Sequence, residues 1–402
     1  MRKVILLSAS ILAWTVFFSM SITSYAKEAR GVTEGTVKVG GVMDLTGPAA
    51  DAHSGFIKAW RIYFKHINDQ GGINGRKIKF ILEDDRTSIP LAVAAFKKLV
   101  YRDKVLALIG PGSTGANQTL FRHIQKEKLV NMAVGCAGSM YKPFRRYVFA
   151  TGSPSYEDHI RTWYDYLLKN LKVKNPKMAI VGADHEYSHT HLREAKKCVE
   201  HYKIPLHEEV ISFGALDATS QVLGLKRAKA EYVILNVPPG ATAAVMRDAR
   251  KFAYSPTFLG TYYCSIEVTL QIAKEAAKNF IGIHNYNSWY AETPGTKELR
   301  DITHKYEPNI DEKYLTKFYC HGWIISTLLC EGLKNAGSDL DHETLVAGLE
   351  KIKDLDTKGI CGLISYSPSS HKASDYCMIF KSDVKKARFV PIGTWRKPSS
   401  IE

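Results

Sequence analysis

Val105-Leu106-Ala107-Leu108-Ile109-Gly110-Pro111-Gly112-Ser113-Thr114-Gly115-Ala116-Asn117-Gln118 is the stretch on which the fold turns. An unbroken apolar run reads as a strand buried on both faces, and it stops at Gly110-Pro111-Gly112, where a chain turns but cannot go on pairing. Ser113 and Thr114 follow as N-cap candidates, and 116–128 continues with the apolar spacing of a helix. A tight loop from the carboxyl end of a buried strand into a helix leaves backbone N–H groups and hydroxyls facing a crevice, a seat for an anion such as a carboxylate. The same residues also fit a plain strand-to-helix turn capped by Ser or Thr.

Strand and helix patterns alternate on both sides of this stretch. Upstream, 37–43 is a strand ending at Asp44-Leu45-Thr46-Gly47-Pro48, 56–68 a helix closed by Gln70-Gly71-Gly72-Ile73-Asn74-Gly75, 77–83 a second strand stopped by Asp84-Asp85, and 89–102 a second helix. Downstream, 129–134 is a strand running into Cys136-Ala137-Gly138-Ser139, and 146–151 a crossing strand. The same grammar then restarts, with strands at 177–181, 206–211, 232–237 and 257–260 separated by helices at 191–202, 219–229 and 242–252. The stretch 280–287 leads into helices at 296–306, 314–336 and 342–351, and strands at 360–366 and 378–389 close the chain. Such alternation predicts right-handed crossovers and two α/β lobes, each a doubly wound parallel sheet between helices.

Length and composition agree with this reading. The chain has 402 residues, 45% of them hydrophobic and 24% charged, which suits a soluble globular protein of two domains, or of one domain in two lobes. Arg2 and Lys3 precede an apolar run over 4–20, and Ser24-Tyr25-Ala26 offers small residues for a cut after Ala26, so residues 1–26 read as a secretory signal peptide, with a retained anchor as the rival. Losing Arg2 and Lys3 takes the formal charge from +15 to +13. The lysines are scattered in pairs without a stripe or interleaved aromatics, so they read as solvated faces and not as a nucleic-acid surface. Seven cysteines in an exported chain leave at least one without an internal partner. Cys320 and Cys330 are too far apart on one helix to bridge, and Cys361 with Cys377 is the first choice for a disulfide.

Together, Val37-Lys38-Val39-Gly40, Leu45-Thr46-Gly47-Pro48, the block from Ile67 through Gln70-Gly71-Gly72-Ile73-Asn74-Gly75 to Lys79, Asp84-Asp85, and Ile109-Gly110 with Ser113-Thr114 resemble the type I periplasmic solute-binding proteins of the leucine/isoleucine/valine-binding family, the binding components of ABC importers. The resemblance runs from Val37 to about Gly393. It implies two lobes joined by three crossings, 34–154 with 284–376 and 155–283 with 377–398, closing over a small solute. It also implies a periplasmic monomer that meets a membrane permease and needs no cofactor.

In amino-acid-binding members the loop after the third strand holds the solute carboxylate, a role that would fall here to Thr114 with Ser113 and the Gly115 N–H. The loop after the fourth strand would present the Cys136 carbonyl, but Cys136-Ala137-Gly138 lacks the hydroxyl unless Ser139 supplies it. Tyr187 matches the tyrosine that closes over the solute. The acidic partner of the solute ammonium falls at Tyr262, Pro238-Pro239 replaces an aromatic corner, and Ala52 stands where the branched-chain binders have a tyrosine, leaving His53 beside it. A buried ammonium without a carboxylate costs several kcal/mol. Tyr187, Tyr262, Tyr263 and His53 then make a pocket suited to a neutral or monoanionic solute with an apolar or aromatic body. The resemblance, read with these departures, implies an organic acid, aromatic carboxylate or amide-like solute, with a branched-chain amino acid as the family default and a ligand-sensing subunit as a further alternative.

Sharper chemistry finds little support. His185-Glu186-Tyr187-Ser188-His189-Thr190-His191 lacks a second spaced ligand pair for a metal. Cys136 has no motif-placed histidine, and Pro111 breaks the Gly-x-Ser-x-Gly pattern around Ser113. Asp84-Asp85 point to opposite faces of a strand end and suit solvation and capping. No catalytic residue is expected, and a binding protein is favoured over an enzyme.

Overall fold

The computed structural model describes residues 29–401; the expected signal peptide, 1–26, lies outside them. The first sheet contains β1 (Thr36–Met43), β2 (Lys77–Asp84), β3 (Ala107–Ile109), β4 (Val130–Ala133) and β5 (Val148–Ala150), all parallel in the order β2-β1-β3-β4-β5. Its crossovers run through α1 (Ala50–Asp69), α2 (Ile89–Lys97) and α3 (Thr114–Glu127). β3 is fully buried, as its continuous apolar sequence requires. It ends at Gly110 because that residue has φ +97° and a Cβ there would lie 2.1 Å from the Val42 carbonyl oxygen.

The chain then forms α4 (Tyr156–Asp165), β6 (Met178–Gly182), α5 (Glu186–Tyr202), β7 (Leu206–Val210), α6 (Thr219–Arg227), β8 (Tyr232–Asn236), α7 (Pro239–Lys251), β9 (Thr257–Gly260), α8 (Glu267–Ala273) and β10 (Phe280–His284). It returns to the first sheet's side as α9 (Pro294–Tyr306), α10 (Lys317–Ala336) and α11 (His342–Glu350), with α10 packed along α1. The tail finishes as β11 (Met378–Asp383) and β12 (Arg388–Pro391) at the edge of the second sheet, whose order is β12-β11-β10-β9-β8-β6-β7. Its inner pairs are parallel, and the terminal hairpin is antiparallel.

Three segments tie the lobes together. The Ala150 N–H donates to the His371 carbonyl at 3.0 Å, the Ser374 N–H to Ser153 Oγ at 2.8 Å, and Asn285 Nδ2 to the Pro154 carbonyl at 2.9 Å. One core spans α1, α10, α11 and the first sheet, and separate cores lie on the two faces of the second sheet.

Several expectations change. The segment 146–151 is no mere crossing, because β5 pairs with β4 as the fifth strand of its sheet. The expected strand at 360–366 is a loop with isolated bridges, and 378–389 is part of a hairpin turning between Asp383 and Arg388. Helices α4 and α8 were not expected, and α1 begins at Ala50, one and a half turns before 56. The Cys361–Cys377 disulfide does not form, because the two residues belong to different cores and all seven thiols are free and buried.

Candidate functional site

Where the lobes meet, a cavity of about 60 Å³ is lined by Ala49, His53, Thr87, Gly112, Ser113 and Thr114 on one side and Tyr156, His185, Tyr187, Phe213 and Tyr263 on the other. Its first wall is the turn into α3. Asn117 Nδ2 pins this turn by donating to the carbonyls of Pro111 at 2.6 Å and Ser113 at 2.9 Å. Ser113 is the N-cap, its Oγ accepting from the Ala116 N–H at 3.5 Å. The N–H groups of Thr114 and Gly115 have no carbonyl one turn back, so the α3 macrodipole and these donors favour negative charge here.

The opposite wall is aromatic. Tyr187 meets Tyr156 edge-on at 5.1 Å between ring centres and Tyr263 at 5.6 Å, while its hydroxyl bonds Thr261 Oγ1 at 2.6 Å. Tyr156 also stacks on His191 at 4.5 Å. His53, at the start of α1, is held neutral: burial pushes its pKa down to about 4, against a smaller upward pull from Asp44, and its Nδ1 has no hydrogen-bond partner. Asp44 itself accepts from the N–H groups of Gly47 at 2.5 Å and Ala49 at 2.9 Å and from Thr87 Oγ1 at 2.7 Å, which fixes the loop before α1. Among the described residues no Asp, Glu, Lys or Arg lines the cavity.

The structure therefore gathers His53, Ser113, Thr114, Tyr187 and Tyr263 around one space and leaves the other expected residues off its walls. The Cys136 carbonyl, expected to meet a solute ammonium, already accepts the Tyr156 N–H at 2.9 Å, and burial raises the thiol's pKa. The Gly138 N–H points at Glu157, Ala137 is buried, and Ser139 Oγ accepts from Gln118 Nε2 at 3.1 Å. Gly115 takes part only as the neighbour of Thr114. Tyr262 faces away: its hydroxyl reaches His321 Nδ1 at 3.0 Å, and it is the next residue, Tyr263, that lines the cavity. Pro238 lines a second, adjoining space between the lobes. Tyr156 was missed together with α4, although Ser155 and Asp158 form a capping box that the sequence spells out.

The histidines near α5 do not converge. His191 Nδ1 bonds the Tyr187 carbonyl at 2.9 Å, His185 caps α5, and His189 pairs with Asp184. Among the described residues no group of three His, Cys, Asp or Glu side chains is placed to hold a metal. The cavity offers hydroxyls, N–H dipoles and ring faces, which suit reversible capture of a small solute.

Comparison with known proteins agrees. The family model described as periplasmic binding protein matches residues 36–387. The chain belongs to that family. It is a binding protein and not an enzyme, and its two parallel-sheet lobes are the family's fold. A fatty acid ABC transporter substrate-binding protein from Thermomonospora curvata is 22% identical, with a TM-score of 0.81 over 93% of this chain and 95% of that one. A branched chain amino acid ABC transporter protein from Thermus thermophilus with bound valine is 19% identical, with a TM-score of 0.83 over 92% and 98%. At these identities the likeness is one of fold. An amino acid binding protein from Pseudomonas aeruginosa is 38% identical over 73 residues, which are 17% of this chain and only 20% of that relative.

Proposed function

We propose that this periplasmic binding protein is the exported solute-binding component of an ABC importer, taking a small carboxylate-bearing or amide-like solute between its lobes and presenting the closed form to a membrane permease. In this reading residues 1–26 are removed on export, the monomer works in the periplasm, and 34–154 with 284–376 closes on 155–283 with 377–398. The observation that carries it is the cavity itself, where the hydroxyls of Ser113 and Thr114 at a helix N-terminus face Tyr187 and Tyr263 across the cleft with no acidic side chain among its described lining residues. A carboxylate finds donors there, whereas an α-ammonium meets no acidic side chain among the described lining residues and would cost several kcal/mol to bury without one. The similarity to proteins whose names specify fatty acid and amino acid transport supports the transport role.

Isothermal titration calorimetry of the mature protein tests this against valine, leucine, simple monocarboxylates and amides. The expected result is saturable binding of carboxylates and none of valine or leucine. Thr114→Val should weaken carboxylate binding about tenfold, the value of one lost hydrogen bond to a charged group. Tight leucine binding would overturn the choice of solute.

A further inference from the structure

The cavity at Ser113 has space for only a few water molecules, too little for the body of an organic solute. A second cavity of about 220 Å³ adjoins it, and Phe213 and Tyr263 form walls of both. One side of the second cavity is Pro48, Asp51 and Ala52 at the start of α1, and the other is built from the loop after β7, the start of α7 and the region around α8. Small or ring-constrained residues keep it open, including Gly214, Ala215, Pro239 and Gly240.

Apolar side chains at its rim are left in water. Leu216 is 82% exposed and Ile272 38% exposed, and both line this cavity beside Ile266 and Val268. Exposed aliphatic groups converging on an inter-lobe opening mark a ligand surface. The one charged residue among the lining residues is Asp51. An anionic head is therefore repelled from this end and directed to the α3 N-terminus, where N–H donors and hydroxyls lie.

We propose that the solute is an amphipathic straight-chain monocarboxylate, its head at Ser113 and Thr114 and its hydrocarbon tail passing Phe213 and Tyr263 into the cavity between Ala52 and Leu216. This rests on the reading of the cleft given above and adds the tail subsite to it. Each methylene moved from water into that space adds about fourfold in affinity until the chain outgrows it.

The test is calorimetry with butyrate, hexanoate, octanoate and decanoate, each below its micelle concentration, on wild type, Leu216→Asp and Thr114→Val. Leu216 is exposed, so its replacement leaves the fold intact. The expected result is a stepwise rise in affinity with chain length, a loss of about tenfold for octanoate but none for butyrate in Leu216→Asp, and a uniform loss at every length in Thr114→Val. If carboxylates bind with no dependence on length, or if Leu216→Asp leaves the rise unchanged, the tail subsite is overturned while the head site stands. If no carboxylate of any length binds, the reading of the cleft fails and the tail subsite with it.

Discussion

Lys317, the first residue of α10, carries an amine into a space that holds no exposed surface. Its Nζ donates to the Ser265 carbonyl at 2.8 Å and to Ser265 Oγ at 3.1 Å, and it lies 4.3 Å from the centre of the Tyr262 ring. α10 packs on α1 while Ser265 follows β9, so the bonds cross between lobes. Burial holds the Lys317 pKa well below the ordinary lysine value, and Glu267 pulls it part of the way back. The sign of the pH effect follows. Below its ordinary pKa the unfolded chain keeps this proton, whereas the folded chain releases it at lower pH, so the lysine makes stability rise with pH through the weakly alkaline range. Buried cysteines act the other way, because burial raises their pKa values and the unfolded chain loses those protons first. The contribution of Lys317 is isolated by comparing wild type with Lys317→Met. The stability difference, wild type minus variant, should grow with pH by up to about 1.4 kcal/mol per unit between about pH 7.5 and 9 in urea unfolding. A difference independent of pH would mean that the amine does not change protonation on folding.

Helix α4 shows how an element sets the site. It starts immediately after the first lobe crossing, where the Ser155 side chain accepts the Asp158 N–H at 3.2 Å and the Asp158 carboxylate accepts the Ser155 N–H at 2.8 Å. Tyr156, at its first helical position, is thereby placed against Tyr187 and His191. Ser155→Ala should cost about 1 kcal/mol in urea unfolding and weaken solute binding by a smaller factor than Thr114→Val does, since the ring is displaced and not removed. The strand–loop–helix at 105–128 was legible because a continuous apolar run, Gly-Pro-Gly and a hydroxyl cap all state the same local structure. The alternation that gives two parallel sheets was legible for the same reason. The 360–366 segment misled because its apolar residues pack against core without pairing along an edge, a distinction that periodicity does not carry. Tyr262 and Tyr263 could not be separated in the sequence, since which of two neighbours faces the cleft depends on the path of the loop after β9 and on His321, distant in sequence, as a partner. The adjoining apolar cavity was invisible as a unit, because its walls come from residues 48–52, 213–216, 238–241 and 263–272.

At the scale of the whole molecule, imidazoles buried neutral decide the response to acid. Desolvation holds His53 and His159 down to about 4 and His191 and His321 down to about 3, and all four are buried. The unfolded chain takes up these protons near pH 6.5 and the folded chain only at much lower pH, so the stability these imidazoles contribute is fully present above about pH 6.5 and is lost as pH falls toward 4. Asp85 opposes this, because burial raises its pKa to about 6 and the folded chain binds that proton first; burial raises Glu157 as well. Four imidazoles outweigh these carboxyls, and the melting temperature should fall steadily from pH 7 to pH 5. The same groups connect acid to closure. His321 bridges Thr151 Oγ1 at 3.1 Å, in the first crossing, and the Tyr262 hydroxyl at 3.0 Å, from the other lobe, while His159 Nε2 bonds Asn285 Oδ1 at 2.8 Å, in the second crossing. A neutral imidazole bonds one of its two partners as a donor and the other as an acceptor, so protonating His321 puts a proton where a hydroxyl now donates. At pH 5 His321 in the closed form, held at about 3, stays neutral, but separating the lobes lets it take up a proton at its ordinary value, so acid should favour the separated form before it unfolds either sheet. Small-angle scattering at pH 7 and pH 5 should show a larger radius of gyration at pH 5 while far-ultraviolet circular dichroism is unchanged, and His321→Gln should reduce that pH dependence. A radius that stays constant until the circular dichroism is lost would show that the lobes separate only by unfolding.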